Sequence, residues 1–203
     1  MKIICVGKNY LDHVKEFDNK IPKEPIIFTK PDTAVLRKGF DFYIPDFSSN
    51  IHYEVEILVK ICKVGKNIQA KFSHKYYESI GIGIDFTARD LQTSLKENRL
   101  PWALAKGFDD AAVISDFIPK EQYKDVQNIN FSLSLNGEVK QSGNTKDMLF
   151  SIDKIIAYIS KYITLKKGDI IYTGTPSGVG PVSVGDKIAC AIENQNLINL
   201  EIK

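Results

Sequence analysis

Residues 51–61 read Ile51-His52-Tyr53-Glu54-Val55-Glu56-Ile57-Leu58-Val59-Lys60-Ile61. The alternation has a period of two, which predicts a β-strand. Ile51, Tyr53, Val55, Ile57, Val59 and Ile61 share one face, and His52, Glu54, Glu56, Leu58 and Lys60 share the other. The first face belongs on a core. The second places two carboxylates side by side, where they repel each other and tolerate burial only with a cation between them. Taken alone, an acidic stripe facing water is the commoner outcome. Leu58 on the same face argues that this side is not wholly wet.

Working outward, Ile3–Val6 predicts a short buried strand closed by Gly7, and Pro25–Lys30 a strand between prolines. Tyr10, Val14 and Phe17 form a stripe at helical spacing. Tyr77–Asp85 predicts a buried strand. After it, Thr87 stands where a helix cap belongs, with Asp90 placed to reach back and a helix running to about Asn98. Asn136-Gly137 between Phe131–Leu135 and Glu138–Gln141 predicts a hairpin with a type I′ turn. Ser151–Lys161 predicts an amphipathic helix burying Ile152, Ile155, Ile156 and Ile159. Strands restart at Gly168-Asp169 through Tyr172, and Lys187–Ile192 and Leu197–Ile202 form a last pair. Strands outnumber helices and few strand–helix–strand units occur. The expectation is an α+β fold, mainly β, with a few peripheral helices, in one domain over 1–203.

The 203 residues suffice for one sizeable core. The composition is 43% hydrophobic and 26% charged, with a net charge of +2. Lys71, Lys75, Lys120, Lys166 and Lys167 are scattered, which argues against a nucleic-acid partner. Cys5, Cys62 and Cys190 form no paired motif and suit a reducing compartment. The apolar run at the N-terminus is too short for a signal peptide, and no stretch reaches the ~20 apolar residues of a membrane helix. A cytoplasmic location without membrane contact is expected.

The candidate chemistry sits on a few residues. Asp85 ends a buried-type strand, where it either caps a turn or joins Glu54 and Glu56. Three such carboxylates suit a hard cation, with Mg²⁺ or Mn²⁺ the best match, whereas zinc prefers His or Cys. His13 and Glu16 are three apart on a predicted helix, so they can touch. The pair is either an oriented general base or a surface contact. Lys106 lies in the apolar run Pro101–Phe108, where it must meet an anion or extend to water. The loop Thr173-Gly174-Thr175-Pro176-Ser177-Gly178-Val179-Gly180 lacks the Lys-Ser/Thr of a phosphate loop, so nucleotide binding is not expected. Its amides and Thr175 could grip a carboxylate, or the segment is a plain turn.

The order of these segments is more specific than any one of them. Gly7-Lys8-Asn9-Tyr10 with His13 and Glu16, then His52–Glu56, Asp85–Gln92, Lys106–Asp109 and Thr173–Gly180 resemble the fumarylacetoacetate hydrolase family. The resemblance runs from about Ile3 to Ile202. Leu100-Pro101-Trp102 and Ile163-Thr164-Leu165 resemble its short acylpyruvase and oxaloacetate decarboxylase branch. The resemblance implies a mixed β-sandwich roll, a homodimer, and Mg²⁺ or Mn²⁺ on Glu54, Glu56 and Asp85. It implies that His13 and Glu16 belong to a mobile helix closing over substrate. It also implies that Lys106 is catalytic and that Lys30, Arg89, Gln92 and Thr175 contact substrate. Two departures stand out: Lys8 replaces a common Arg, and Val113-Ile114-Ser115 lacks the usual Gly-Pro.

The substrate implied is a small 2-oxo acid. The leading expectation is hydrolysis of the C–C bond of acylpyruvates, with oxaloacetate decarboxylation as an accompanying reaction. An isomerase, decarboxylase or oxaloacetate tautomerase acting on 2-oxo dicarboxylic acids of aromatic catabolism is the alternative. A catalytically silent binding protein on the same fold is the alternative of another class.

Overall fold

Residues 51–61 form two strands and not one. In the computed structural model, which describes residues 1–16 and 20–203 apart from the side chains of Lys15 and Glu16, the chain leaves one sheet and enters another at Glu54. The elements up to that joint are β1 (Ile3–Gly7), α1 (Leu11–Glu16), β2 (Ile26–Lys30) and β3 (Ile51–Tyr53). The chain continues with β4 (Val55–Ile61), β5 (Tyr77–Asp85), β6 (Thr87–Ala88), α2 (Arg89–Glu97) and α3 (Ala103–Lys106). Then come β7 (Ala112–Ile114), β8 (Ile118–Pro119), β9 (Asn130–Leu135), β10 (Glu138–Asn144) and α4 (Ile152–Tyr162). The last strands are β11 (Ile170–Tyr172), β12 (Gly180–Pro181), β13 (Lys187–Ile192) and β14 (Gln195–Glu201).

A seven-stranded sheet runs β2-β1-β11-β4-β5-β7, with β8 also on β5. It is mixed, because β1 lies parallel to β11 while β4 pairs antiparallel with β11 and β5. A four-stranded sheet, β10-β9-β13-β14, packs on it through β13 and β14 against β5 and β9 against β4. The third sheet, β12-β3-β6, takes the segment before Glu54. The result is the strand-dominated α+β fold expected.

Because β4 is central, both its faces are dry. Glu56 is 2% exposed and Leu58 0%. The water-facing stripe that this strand suggests when taken alone does not form, in keeping with Leu58 on the same face. The hairpin is as read: Asn136 and Gly137 have φ of 55° and 84° and join β9 to β10. Helix α4 starts at Ser151, whose hydroxyl accepts from the Lys154 amide, and buries Ile152, Ile155, Ile156 and Ile159. Burial of each such side chain contributes roughly 1.5–3 kcal/mol, so packing more than propensity anchors α4.

The cap expected at Thr87 is absent. Thr87 belongs to β6, Ala88 precedes the helix without a side-chain cap bond, and Asp90 instead accepts from Ser48, Ser49 and the Leu91 amide. Pairing of β6 with β3 holds Thr87 extended until the helix begins. Tyr10 and Val14 are buried as the helical stripe requires, whereas Phe17 and the Glu16 side chain lie outside the described residues. Among the described residues, no helix is long and apolar enough to cross a membrane.

Candidate active site

Strand ends build the site. Glu54 is the joint between β3 and β4, Glu56 is the second residue of β4, and Asp85 is the last of β5. Val55 pairs with Ile84 and Glu56 with Gly83, so the β4–β5 register brings the three acids to one end of the sheet. One oxygen from each lies within 4.8 Å of the others, and all three residues are buried.

Cations reach these acids from separate elements. Lys106, at the end of α3, donates from Nζ to Glu54 Oε2 at 2.8 Å, Asp85 Oδ2 at 2.7 Å and Thr87 Oγ1 at 2.6 Å. It has met an anion and does not extend to water. Lys30, closing β2, pairs with Asp85 Oδ1 at 2.7 Å and donates to the carbonyls of Phe86 and Lys106. Arg89 opens α2 and places Nη2 at 2.5 Å from Glu54 Oε1 and Nη1 at 2.7 Å from Gln92 Oε1.

Glu56 is held differently. The Gly174 amide donates to its Oε2 at 2.6 Å. Gly174 has φ +102°, and a Cβ there would stand 2.6 Å from the Asn9 Cβ, so only glycine presents this amide without strain. Among the described residues, no Lys or Arg forms an ion pair with Glu56. The loop Thr173–Gly180 thus grips a carboxylate of the protein itself.

A pocket over the acids is lined by His13, Arg89, Gln92, Trp102, Lys106 and Thr175, with Lys8 and Lys96 as further members. His13 is 8% exposed. Its expected pairing with Glu16 lies outside the described residues. Lys30 does not line the pocket; it backs Asp85 from the core.

Burial alone would raise the Glu54 carboxyl, but Lys106, Arg89 and His13 outweigh it and hold the group well below the usual range. Glu56 is pushed the other way, by burial and then by the charges of Asp85 and Glu54. Lys106 loses charge preference through burial but regains more from Asp85 and Glu54, so its pKa is raised and it stays cationic. Burial, then Arg89, lowers His52 to about 4, leaving it neutral. Burial, then Arg89, lowers Lys96 to about 8.

The donor set fits a hard divalent cation. Three buried carboxylates converge, and among the described residues no Lys or Arg pairs with Glu56. An ion there would relieve the repulsion that otherwise favours a proton on Glu56.

The family described as fumarylacetoacetate (FAA) hydrolase, C-terminal, matches residues 2–203. The chain belongs to the fumarylacetoacetate hydrolase family. It is 45% identical to a mitochondrial oxaloacetate decarboxylase of Dictyostelium discoideum over 192 residues, covering 94% of this chain and 88% of that protein. It is 41% identical to the mitochondrial oxaloacetate tautomerase FAHD1 of Arabidopsis thaliana over 202 residues, covering 100% and 91%. The crystal structure of fumarylpyruvate hydrolase from Pseudomonas aeruginosa, in complex with Mn²⁺ and pyruvate, aligns with a TM-score of 0.94 at 30% identity, covering 100% and 89%.

Within this fumarylacetoacetate hydrolase fold, two contributions escape sequence reading. Gln141 on β10 is 1% exposed; its Oε1 accepts the Val55 amide at 2.9 Å and its Nε2 donates to Thr175 Oγ1 at 2.8 Å and the Pro176 carbonyl at 2.9 Å. It ties the strand of the two glutamates to the Thr175 loop. Nothing in the polar run Glu138–Asn144 marks it, because that strand reads as exposed. Thr87 does not cap the helix; its hydroxyl accepts from Lys106 and orients that ammonium. Lys96 was legible in principle, since Arg89, Gln92 and Lys96 share a helical stripe.

Proposed function

We propose that the chain is a Mg²⁺- or Mn²⁺-dependent enzyme acting on oxaloacetate, in which one site serves both tautomerisation and decarboxylation. The observation that carries this reading is the buried convergence of Glu54, Glu56 and Asp85, in which no Lys or Arg among the described residues pairs with Glu56. The names of the relatives at 41% and 45% identity favour oxaloacetate as the substrate over an acylpyruvate.

A divalent ion bound by Glu54, Glu56 and Asp85 would supply a Lewis acid that polarises the 2-oxo carbonyl. Lys106, kept cationic by Asp85 and Glu54, stabilises negative charge as it grows on the substrate oxygen. Arg89, Gln92 and Thr175 orient the substrate. His13, with Glu16, moves the proton. In tautomerisation that proton shuttles between C3 and the enol oxygen. In decarboxylation the C3–C4 bond breaks, CO₂ departs, its electron pair enters the enolate, and C3 is then protonated. Lys30 acts through Asp85.

The second reading is hydrolysis of acylpyruvates, favoured by the seclusion of His13 in the pocket and by likeness to a fumarylpyruvate hydrolase. There His13 would deprotonate water, which adds to the distal carbonyl before the C–C bond breaks. Purified protein is assayed with oxaloacetate, acetylpyruvate and fumarylpyruvate, each with Mg²⁺, Mn²⁺ or EDTA. The proposal requires metal-dependent turnover of oxaloacetate at a kcat/KM above that of either acylpyruvate. Faster cleavage of an acylpyruvate, abolished in His13→Ala, establishes the second reading instead.

The match over 2–203 supports a single catalytic domain. We propose a homodimer. The exposed side chains of Phe47 and Leu104, 56% and 69% accessible, flank an apolar groove with Leu91 and Phe108 that a second copy would cover.

A further inference from the structure

We propose that Phe28 and Trp102 form an aromatic wall that sets substrate length, confining the site to 2-oxo acids with a short distal end. The inference deepens the function proposed above and rests on its placement of a 2-oxo acid over the three acids.

Two cavities meet at this wall. The one over the acids holds about 40 Å³ and includes Glu54, Asp85 and Lys106. Beside it lies an outer groove of about 380 Å³, formed by Ile26 and Ile27 of β2 and by Leu100 and Pro101 of the segment before α3. Among the described residues, Phe28 and Trp102 alone line both.

The two rings are held in place from separate elements. Strand pleating puts Ile26, Phe28 and Lys30 on one face of β2, and Lys30 reaches Asp85 from that face. The Phe28 ring therefore stands beside the site, with Lys106 Nζ 5.2 Å from its centroid. Trp102 arrives on the other segment. Its carbonyl accepts the Ala105 and Lys106 amides at 3.0 Å, so the turn that carries Lys106 inward begins at the tryptophan. The indole meets Phe28 edge-on, with centroids 5.9 Å apart and planes at 62°. Lys96 Nζ lies 5.4 Å from the indole centroid, and a Cβ on Gly7 would come within 3.5 Å of the ring. These neighbours leave the indole little room to swing aside.

The lining decides what the wall excludes. Apart from the two rings, the cavity over the acids presents mainly charged and polar groups, among them His13, Arg89, Gln92 and Thr175. An alkyl tail there would strip water from these groups and return no hydrogen bonds. The outer groove is mostly apolar, so a tail that passed the wall would be stabilised by burial. With both rings in place the tail is denied that groove, and a 2-oxo acid gains nothing from added methylenes. Four-carbon oxaloacetate needs no such room.

The test reads chain-length preference within each protein, so a general loss of affinity does not imitate it. Mn²⁺-loaded full-length protein is titrated calorimetrically with pyruvate, 2-oxobutyrate, 2-oxohexanoate and 2-oxooctanoate. Wild-type affinity should stay level or fall as the chain lengthens. In Trp102→Ala it should rise by up to roughly fourfold per methylene seated, so that 2-oxohexanoate gains at least about tenfold relative to pyruvate. Phe28→Ala should relax the preference in the same direction from the other side of the wall. Trp102→Phe, which keeps a ring there, should retain the wild-type order. Affinity that already rises with length in wild type overturns the proposal. So does an unchanged order in both alanine variants that still bind pyruvate, and the 2-oxo acid site then stands without its wall. If metal-loaded wild type binds none of the four acids, the function proposed above fails and the wall fails with it.

Discussion

At Glu56 one carboxylate oxygen accepts the Gly174 amide, and burial followed by Asp85 and Glu54 raises the acid's pKa. A carboxyl whose pKa is higher folded than unfolded binds more protons in the folded state between those two values. Stability of the metal-free protein therefore falls as pH rises from the ordinary carboxyl range through that window, and a divalent ion reverses the loss. Glu56→Gln should remove this pH dependence and raise the metal-free melting temperature at pH 8. It should also weaken Mn²⁺ binding by at least roughly tenfold to a hundredfold. Melting curves from pH 5 to 8, with and without Mn²⁺, check both. A variant that melts earlier than wild type at pH 8 contradicts the account. Lys106→Met should add to this dependence, because it leaves Glu54 and Asp85 short of a partner. It should destabilise the metal-free protein by roughly 3–5 kcal/mol in denaturant titrations. These acids and Lys106 were legible because their residue types recur in a known order. Whether Glu54 and Glu56 faced water was not, since period-two alternation identifies a strand but cannot tell how many faces are covered.

Between elements, the site depends on ties that cross sheets. Gln141 joins β4 to the Thr175 loop, and its loss strands the Val55 amide in a dry interior. Gln141→Leu should destabilise by about 1–3 kcal/mol and raise the KM for the 2-oxo acid, read by thermal melts and steady-state kinetics. Gln141→Glu, which keeps the acceptor for Val55 but not the amide donor to Thr175, should recover part of the stability without the KM. The reading of residues 51–61 as one strand went wrong at the same scale. Nothing local marks the change of sheet at Glu54, because the partners of β3 and β4 come from distant segments. Thr87 was misread for a related reason: pairing with β3 overrides a sound local capping signal. Hairpin β9–β10 and helix α4 were legible throughout, since a turn dipeptide and a 3.6-residue stripe carry their own instructions.

Over the whole molecule, strand order is set by contacts such as Ile3–Cys5 beside Ile170–Tyr172, which no local pattern encodes. Family resemblance supplied that level, and the match over 2–203 agrees with it. The proposed dimer predicts a solution mass near twice 22.9 kDa by light scattering, falling toward the monomer in Leu104→Glu. The central claim is that three buried acids make a divalent-metal site for enolate chemistry on 2-oxo acids. Its most direct test follows the ultraviolet absorbance of enol-oxaloacetate in the presence of metal-loaded, EDTA-stripped and Mg²⁺-restored protein. The account predicts rapid decay with loaded protein, decay at the buffer rate after stripping, and recovery on restoring Mg²⁺. An undiminished rate after complete removal of metal would contradict it.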